Sequence, residues 1–220
     1  YIMNLDHCNS HSSFKDKVSM SNLCQEITLP TTPIQHIDDQ EGEIALCILS
    51  AVNVGALNDL YELENICDLS VRALEQIIDY QDYPVRAAEV STKKRRSLGI
   101  GYIGLAHYLA KNGVKYSDPK AWELVDRLSE AFQYHLLRAS CDIAMEKGKC
   151  EGFDRTKYAD GQLPIDHYKK EVDEIVPHKQ RMAWESLRKD IAKYGLRHST
   201  LSAQMPSESS SVVSNETNGI

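Results

Sequence analysis

The chain has 220 residues, a formal net charge of -7 and 42% hydrophobic residues, enough to bury a sizeable core as one large domain or two small ones. The negative balance argues against a general nucleic-acid binder, and no run of about eighteen apolar residues is present to cross a bilayer. Six cysteines without the spacing of a disulfide scaffold fit a reducing compartment, so a cytoplasmic location is expected, with thiols that are catalytic or buried.

After an opening loop, Asn22 to Leu29 reads as an extended segment: Ile27, Thr28 and Leu29 favour it and Pro30 stops it. Side chains alternate across a strand, which would place Asn22, Cys24 and Glu26 on one face and Leu23, Gln25 and Ile27 on the other. A carboxylate that moves a proton, a sulfur that reacts and an amide that orients a hydroxyl make a usable catalytic set. The same three residues would equally serve as the wet face of an edge strand around a buried thiol.

Thr31 to Gly42 is polar and reads as a connection. Ile44 to Val54 is nearly continuous apolar sequence with several β-branched residues, suited to a strand buried on both faces of a parallel sheet, although periodicity leaves a buried helix open. Cys47 lies inside that run, where a small buried hydrophobe is the plain reading. Leu63, Ile66, Cys67, Val71, Leu74 and Ile78 carry the spacing of an amphipathic helix over Leu60 to Ile78. The basic run Lys93-Lys94-Arg95-Arg96 reads as a solvated loop.

A strand is expected at Ser97 to Tyr102 and a helix from Ile103 to Lys111, closed by Asn112-Gly113. Gly99, Gly101 and Gly104 fit a dinucleotide-binding GxGxxG, but the strand would run through the glycines and no acidic ribose ligand follows apart from Asp118, which suits a cap. The glycines are therefore read as close strand–helix packing. Asp118-Pro119 opens a long helix to Lys147, with shorter helices near Ile165 to Ile175 and Met182 to Tyr194, and a last strand at Ser199 to Gln204. Strands alternating with helices indicate an α/β architecture with parallel pairing. Pro206 to Ser211 is a serine-rich turn opening a helix, either an anion site or a cap made by Ser207 or Ser209. His7, Cys8 and His11 have metal-ligand types but no second cluster at zinc spacing, so no metal is expected.

Ser21 to Pro30, SNLCQEITLP, closely resembles the radical-cysteine segment of the large subunit of class I ribonucleotide reductases. Tyr1 to His11 resembles the stretch before that segment, Glu43 to Gly55 the strand with one cysteine of the redox pair, Arg96 to Ala106 a further strand and turn, and Leu201 to Gly219 the substrate-phosphate loop with its continuation. The order of the four blocks is also the family's.

The resemblance implies that the chain is a single partial domain over residues 1–220, the later portion of a ten-stranded α/β barrel with a central loop carrying the radical cysteine. It implies that Cys24 carries a thiyl radical, that Glu26 takes the proton of the substrate 3′-hydroxyl and that Asn22 holds a substrate hydroxyl. Cys47 would be one of two cysteines that deliver electrons to the 2′-carbon, its partner lying in an earlier segment. Ser207, Glu208, Ser209 and Ser210 would hold the diphosphate; where threonine is common in the family this chain has Ser209, which keeps the hydroxyl.

The implied reaction is reduction of ribonucleoside diphosphates for DNA precursor synthesis in an allosteric, ATP-regulated enzyme, whose effector segments lie outside this piece. A metal-containing small (beta) subunit would supply the radical, thioredoxin or glutaredoxin the reducing equivalents, and a second large subunit would complete a homodimer. No cofactor is expected in this chain, and neither nucleic acid nor a membrane is an expected partner. The isolated piece is expected to be inactive. Rival readings are the cobalamin-dependent class of the same family and a nucleotide-binding or assembly module without activity.

Overall fold

The core is organised around β2 (Leu98–Ile103), whose six residues are all buried. Leu98, Ile100 and Tyr102 alternate with glycine, so the large side chains fill one face while Gly99 and Gly101 leave the other bare. β1 (Ile48–Asn53) pairs with β2 in parallel, from Ile48 opposite Leu98 to Asn53 opposite Ile103. Along the other edge of β2 run residues 199–204. There the Leu98 and Ile100 amides donate to the Thr200 and Leu201 carbonyls, and the Ala203 amide donates to Ile100. The computed structural model describes residues 2–176 and 179–218, so Tyr1 and Gly219 of the resembling stretches lie outside it, as do Pro177, His178 and Ile220. Among the described residues the sheet is two-stranded with that third segment beside it, an α/β arrangement in which no barrel closes within the chain.

Parallel pairing requires a crossover, supplied by α2 (Glu62–Tyr80) and α3 (Arg86–Arg95). α2 buries Leu63, Cys67, Val71, Leu74 and Ile78, one residue per turn, against β1 and the long α5 (Pro119–Lys147), as the apolar spacing predicts. α4 (Leu105–Lys111) follows β2 through Gly104, whose φ of 81° is a conformation that side chains disfavour. α5 starts at Asp118-Pro119 as expected, but the Asp118 carboxylate accepts the Lys115 amide at 2.8 Å and makes no bond to the helix amides. α6 (Trp184–Tyr194) stops at Gly195, and α7 (Glu208–Val213) follows the serine-rich turn.

Several expectations are corrected. The opening loop contains a short helix, α1 (Leu5–His11), begun by the Asn4 side chain accepting the His7 amide at 3.0 Å. β1 starts at Ile48 rather than Ile44, because Arg96 adopts a left-handed φ of 48° at the end of α3 and the partner strand begins only at Leu98. Only Val52 of β1 is fully buried, so this strand is not covered on both faces among the described residues. Instead of a helix over 165–175 there are two short 3-10 turns, Pro164–Asp166 and Lys170–Glu174. Asp166 closes the first by accepting the Leu163 amide at 2.7 Å and pairing with Arg188.

Residues 199–204 make one isolated parallel bridge, Ile100 to Ser202, rather than a regular strand. Beyond it the Gln204 carboxamide takes the place of backbone pairing, donating to the Tyr102 carbonyl at 2.7 Å and accepting its amide at 3.3 Å. The basic run is no solvated loop: Arg95 and Arg96 are 5% and 4% exposed at the end of α3. Arg95 is held by Glu43 and Asp16, and Arg96 by Glu75 and Asp79. Burial of these guanidiniums is tolerable because each is paired. α3 itself escaped the sequence reading because its buried face is Ala87, Ala88, Ser91 and Thr92, too small and polar to mark an amphipathic period.

Candidate active site

Two limbs carry the stretch from Ser21 to Pro30. The incoming limb is fixed by Asn9, whose side-chain amide donates to the Val18 carbonyl at 2.9 Å and accepts the Val18 amide at 2.8 Å, with Val18 fully buried. The returning limb re-enters the core at Leu29 and Pro30. Between them the chain turns rather than running extended. Ser21 Oγ donates to the Ile27 carbonyl at 2.6 Å, the Ile27 amide donates to Asn22 Oδ1 at 3.1 Å, and the Gln25 amide donates to the Asn22 carbonyl at 3.2 Å. Gln25 has a φ of 63°, in the left-handed region.

The strand expected over Asn22 to Leu29 is therefore replaced by a loop, and the shared face of Asn22, Cys24 and Glu26 does not exist as alternation. Hydrogen bonds from Ser21 and Asn22 across the turn win over the β-preference of Ile27 and Thr28. Asn22 closes the turn, Leu23 at 87% exposure and Cys24 occupy its open tip, and Glu26 lies on the returning limb.

Glu26 points inward: its Oε2 is buried and takes no hydrogen bond. A buried carboxylate oxygen without a donor is unusual and marks a position where a polar group can be accommodated. Its charge acts on Cys47, whose thiol is pushed up to about 12, first by burial and second by Glu26. At neutral pH Cys47 is accordingly a protonated thiol, able to give up a hydrogen but poor as a thiolate nucleophile.

Cys47 sits one residue before β1 and is partly buried. Its sulfur lies against Gly99 of β2: a β-carbon built there would stand 2.7 Å from Cys47 Sγ, 2.6 Å from Leu49 Cδ2 and 3.2 Å from Ala203 Cβ. Two residues along, a β-carbon on Gly101 would meet Ala203 O at 2.5 Å and Met205 Sδ at 3.0 Å. The bare face of β2 thus runs from Cys47 to Met205 over about 7 Å of strand. The glycines lie against Cys47, Leu49 and the 203–205 segment rather than against a helix, which corrects the strand–helix reading at Gly99 and Gly101.

Met205 leads into the serine-rich turn. The Ser207 side chain is buried, its hydroxyl donates to the Met205 carbonyl at 3.2 Å, and its amide donates to Asn218 Oδ1 at 3.1 Å. Neither Ser207 nor Ser209 caps the helix with its side chain. Glu208, Ser209 and Ser210 are exposed, and their amides at the start of α7 donate no hydrogen bond to the described residues. The turn therefore offers three free amides and the hydroxyls of Ser209 and Ser210, while Ser207 faces inward.

The structure thus sets Cys47 within the electrostatic reach of Glu26 and joins Cys47 to the serine-rich turn along one face of β2, with Cys24 at the exposed tip of the loop that carries Glu26. Sequence reading missed the roles of Gly99, Gly101 and Asn218; glycine alternating inside a strand was the available signal for the first two. Cys67, Cys141 and Cys150 are buried in the core, Cys67 on the apolar face of α2 as its spacing predicts. Among the described residues no group of three or more His, Cys, Asp or Glu side chains is arranged to hold a metal, and His7 and His11 stack on each other at 4.4 Å. No helix among them is long and apolar enough to cross a membrane.

Comparison with known proteins gives the family. The family model described as ribonucleotide reductase, barrel domain, matches residues 1–220. The chain is 57% identical to the ribonucleoside-diphosphate reductase subunit alpha of Buchnera aphidicola from Schizaphis graminum, with 100% of the chain and 29% of that protein aligned. It is 58% identical to the subunit alpha of Haemophilus influenzae, covering 100% of the chain and 30% of that protein. It is 54% identical to the reductase 1 subunit alpha of Escherichia coli K12, covering 100% and 29%. The chain therefore spans under a third of the length of these relatives and belongs, over its whole extent, to the ribonucleotide reductase barrel-domain family.

Proposed function

We propose that this chain is the later portion of the catalytic barrel of a class I ribonucleoside-diphosphate reductase large subunit, holding the radical thiol, one reducing thiol and the diphosphate loop. The observation that carries this reading is the buried Glu26 Oε2, which takes no hydrogen bond, on the loop whose tip is Cys24, with the Glu26 charge acting on the buried Cys47 thiol.

A thiyl radical on Cys24 removes the 3′-hydrogen of the ribose, and Glu26 accepts the 3′-hydroxyl proton at its free oxygen. Asn22 orients a substrate hydroxyl in addition to closing the turn. Cys47 and a second thiol from another part of the full-length subunit give up two electrons and two protons as they form a disulfide. The 2′-hydroxyl leaves as water, hydrogen takes its place, and the 3′-hydrogen returns from Cys24. The amides of Glu208, Ser209 and Ser210 and the hydroxyls of Ser209 and Ser210 hold the diphosphate, with Ser207 supporting the turn from beneath.

A separate radical-generating beta subunit, a large-subunit homodimer, thioredoxin or glutaredoxin as reductant and a cytoplasmic setting complete the reading. The subunit-alpha names of the relatives favour it over the cobalamin-dependent class. The 220-residue chain alone is expected to give no turnover. The test is deoxynucleotide formation by the full-length subunit with its small subunit and a thiol reductant, comparing wild type with Cys24→Ser. Loss of product with retained substrate binding supports the reading, and undiminished turnover overturns it.

A further inference from the structure

We infer that Gly99 is a positioning residue for Cys47, its missing side chain being the seat that fixes where the thiol sulfur lies. This rests on the reading of Cys47 as a reducing cysteine. Glycine inside a strand is destabilising and needs a reason. Backbone conformation is not that reason here, since Gly99 is absent from the residues with positive φ and sits mid-strand in β2.

Space is the reason. A β-carbon at residue 99 would stand 2.7 Å from Cys47 Sγ and 2.6 Å from Leu49 Cδ2, both closer than real side chains come. Ala203 Cβ, at 3.2 Å, needs to give by only a few tenths of an ångström, and the two nearer neighbours differ in how they can respond. Leu49 is 45% exposed, and its long side chain swings away at little cost. Cys47 has a single side-chain torsion, so its sulfur clears the new methyl only by leaving its present rotamer. A methyl group at residue 99 thus displaces the thiol from the position in which burial and the Glu26 charge keep it protonated. Gly101 shows the contrast: what it admits is the Ala203 backbone and Met205, so its glycine serves the approach of the 203–205 segment and not a thiol.

The experiment uses the full-length large subunit with its small subunit, and compares wild type, Gly99→Ala, the double variant Leu49→Ala/Gly99→Ala, and Cys47→Ser. Three quantities are read: deoxynucleotide formed by the reduced enzyme in a single turnover, KM for the ribonucleoside diphosphate in steady-state turnover, and the rate at which Cys47 of the substrate-free enzyme is alkylated by iodoacetamide. Gly99→Ala is expected to lower product formation at least tenfold with KM for the ribonucleoside diphosphate within twofold, and to speed Cys47 alkylation at least fivefold. Removing the Leu49 clash in the double variant relieves packing but not the thiol, so both effects are expected to persist there. Unchanged alkylation in Gly99→Ala, or full recovery of product formation and alkylation in the double variant, overturns the inference and reduces Gly99 to strand packing. Should Cys47→Ser keep full turnover, the redox reading of Cys47 falls on its own, and the alkylation rates still decide whether Gly99 seats the sulfur.

Discussion

The protonation of Cys47 can be tested by Glu26→Gln, because the two causes that raise the thiol predict effects of very different size. At about 12 against an ordinary 9.0, Cys47 is ionised roughly a thousandfold less at pH 8 than a free thiol. Burial contributes more than Glu26, so the carboxylate accounts for less than half of that elevation on a logarithmic scale. Removing the negative charge lowers the thiol pKa and increases the thiolate, but by less than about 30-fold, and Cys47 stays far less reactive than a free cysteine. The assay is iodoacetamide labelling of the reduced, substrate-free full-length subunit from pH 7 to 10, with Cys47 and Cys24 followed by mass spectrometry of their peptides. Wild-type Cys47 should label slowly and steepen with pH throughout the range, whereas exposed Cys24 labels readily. A thousandfold acceleration in Glu26→Gln would mean that the carboxylate and not burial protonates the thiol, and wild-type labelling at the rate of a free cysteine would refute the reasoning altogether.

Ser209→Asp places a carboxylate where the turn is proposed to take an anion: inorganic diphosphate and the nucleoside diphosphate should bind at least tenfold more weakly, while thermal stability holds or rises by about 0.3–1 kcal/mol, since the charge suits a helix start. Calorimetric binding and melting curves on the full-length subunit separate the two effects. Asn22→Ala removes the acceptor for the Ile27 amide and loosens the turn that carries Cys24, so turnover should fall more than tenfold, whereas Asn22→Asp keeps that acceptor and should hold Cys24 as resistant to proteolysis of the loop as in wild type. Glu75, held down at about 2 despite its burial by His198, Arg96 and Arg197, gives stability that is present above its ordinary 4.5 and lost as the pH falls toward 2. Buried His198 is lowered from 6.5 mainly by desolvation, so it adds a loss that begins as the pH drops through 6.5. Urea unfolding should therefore weaken from pH 7 to 4, and Glu75→Ala, which removes one of the two carboxylates pairing buried Arg96 and the partner of Arg197, should cost about 3 kcal/mol at pH 7; a flat pH response would exclude this network as the source.

How much was legible in the chain itself differs from element to element. α2 and the long α5 were readable because their signals are local: apolar residues every third or fourth position in one, Asp118-Pro119 and Gly148 at the ends of the other. The residues of the site were readable as a family string, with their identities and order but not their arrangement. What failed was whatever depended on a partner distant in sequence. The segment from Asn22 to Leu29 has the composition of a strand, yet among the described residues no strand pairs with it, and short-range hydrogen bonds involving Ser21 and Asn22 fold it into a turn. Lys93 to Arg96 has the composition of a wet loop, yet Glu43, Asp16, Glu75 and Asp79, which lie 17 to 79 positions away, draw two of its arginines into the interior.

The sequence by itself determined the residue types of the chemistry, the α/β alternation and the helices whose period lies within one segment, because these follow from torsional preference and local spacing. Only the tertiary structure decided that Glu26 keeps a buried oxygen free of hydrogen bonds, that Gly99 leaves room for the Cys47 sulfur and that Asn218 takes the Ser207 amide. The seat of the Cys47 sulfur is set by the parallel register of β1 on β2, fifty residues apart, and the other two by how loops fold back on the core, none of which a local pattern encodes.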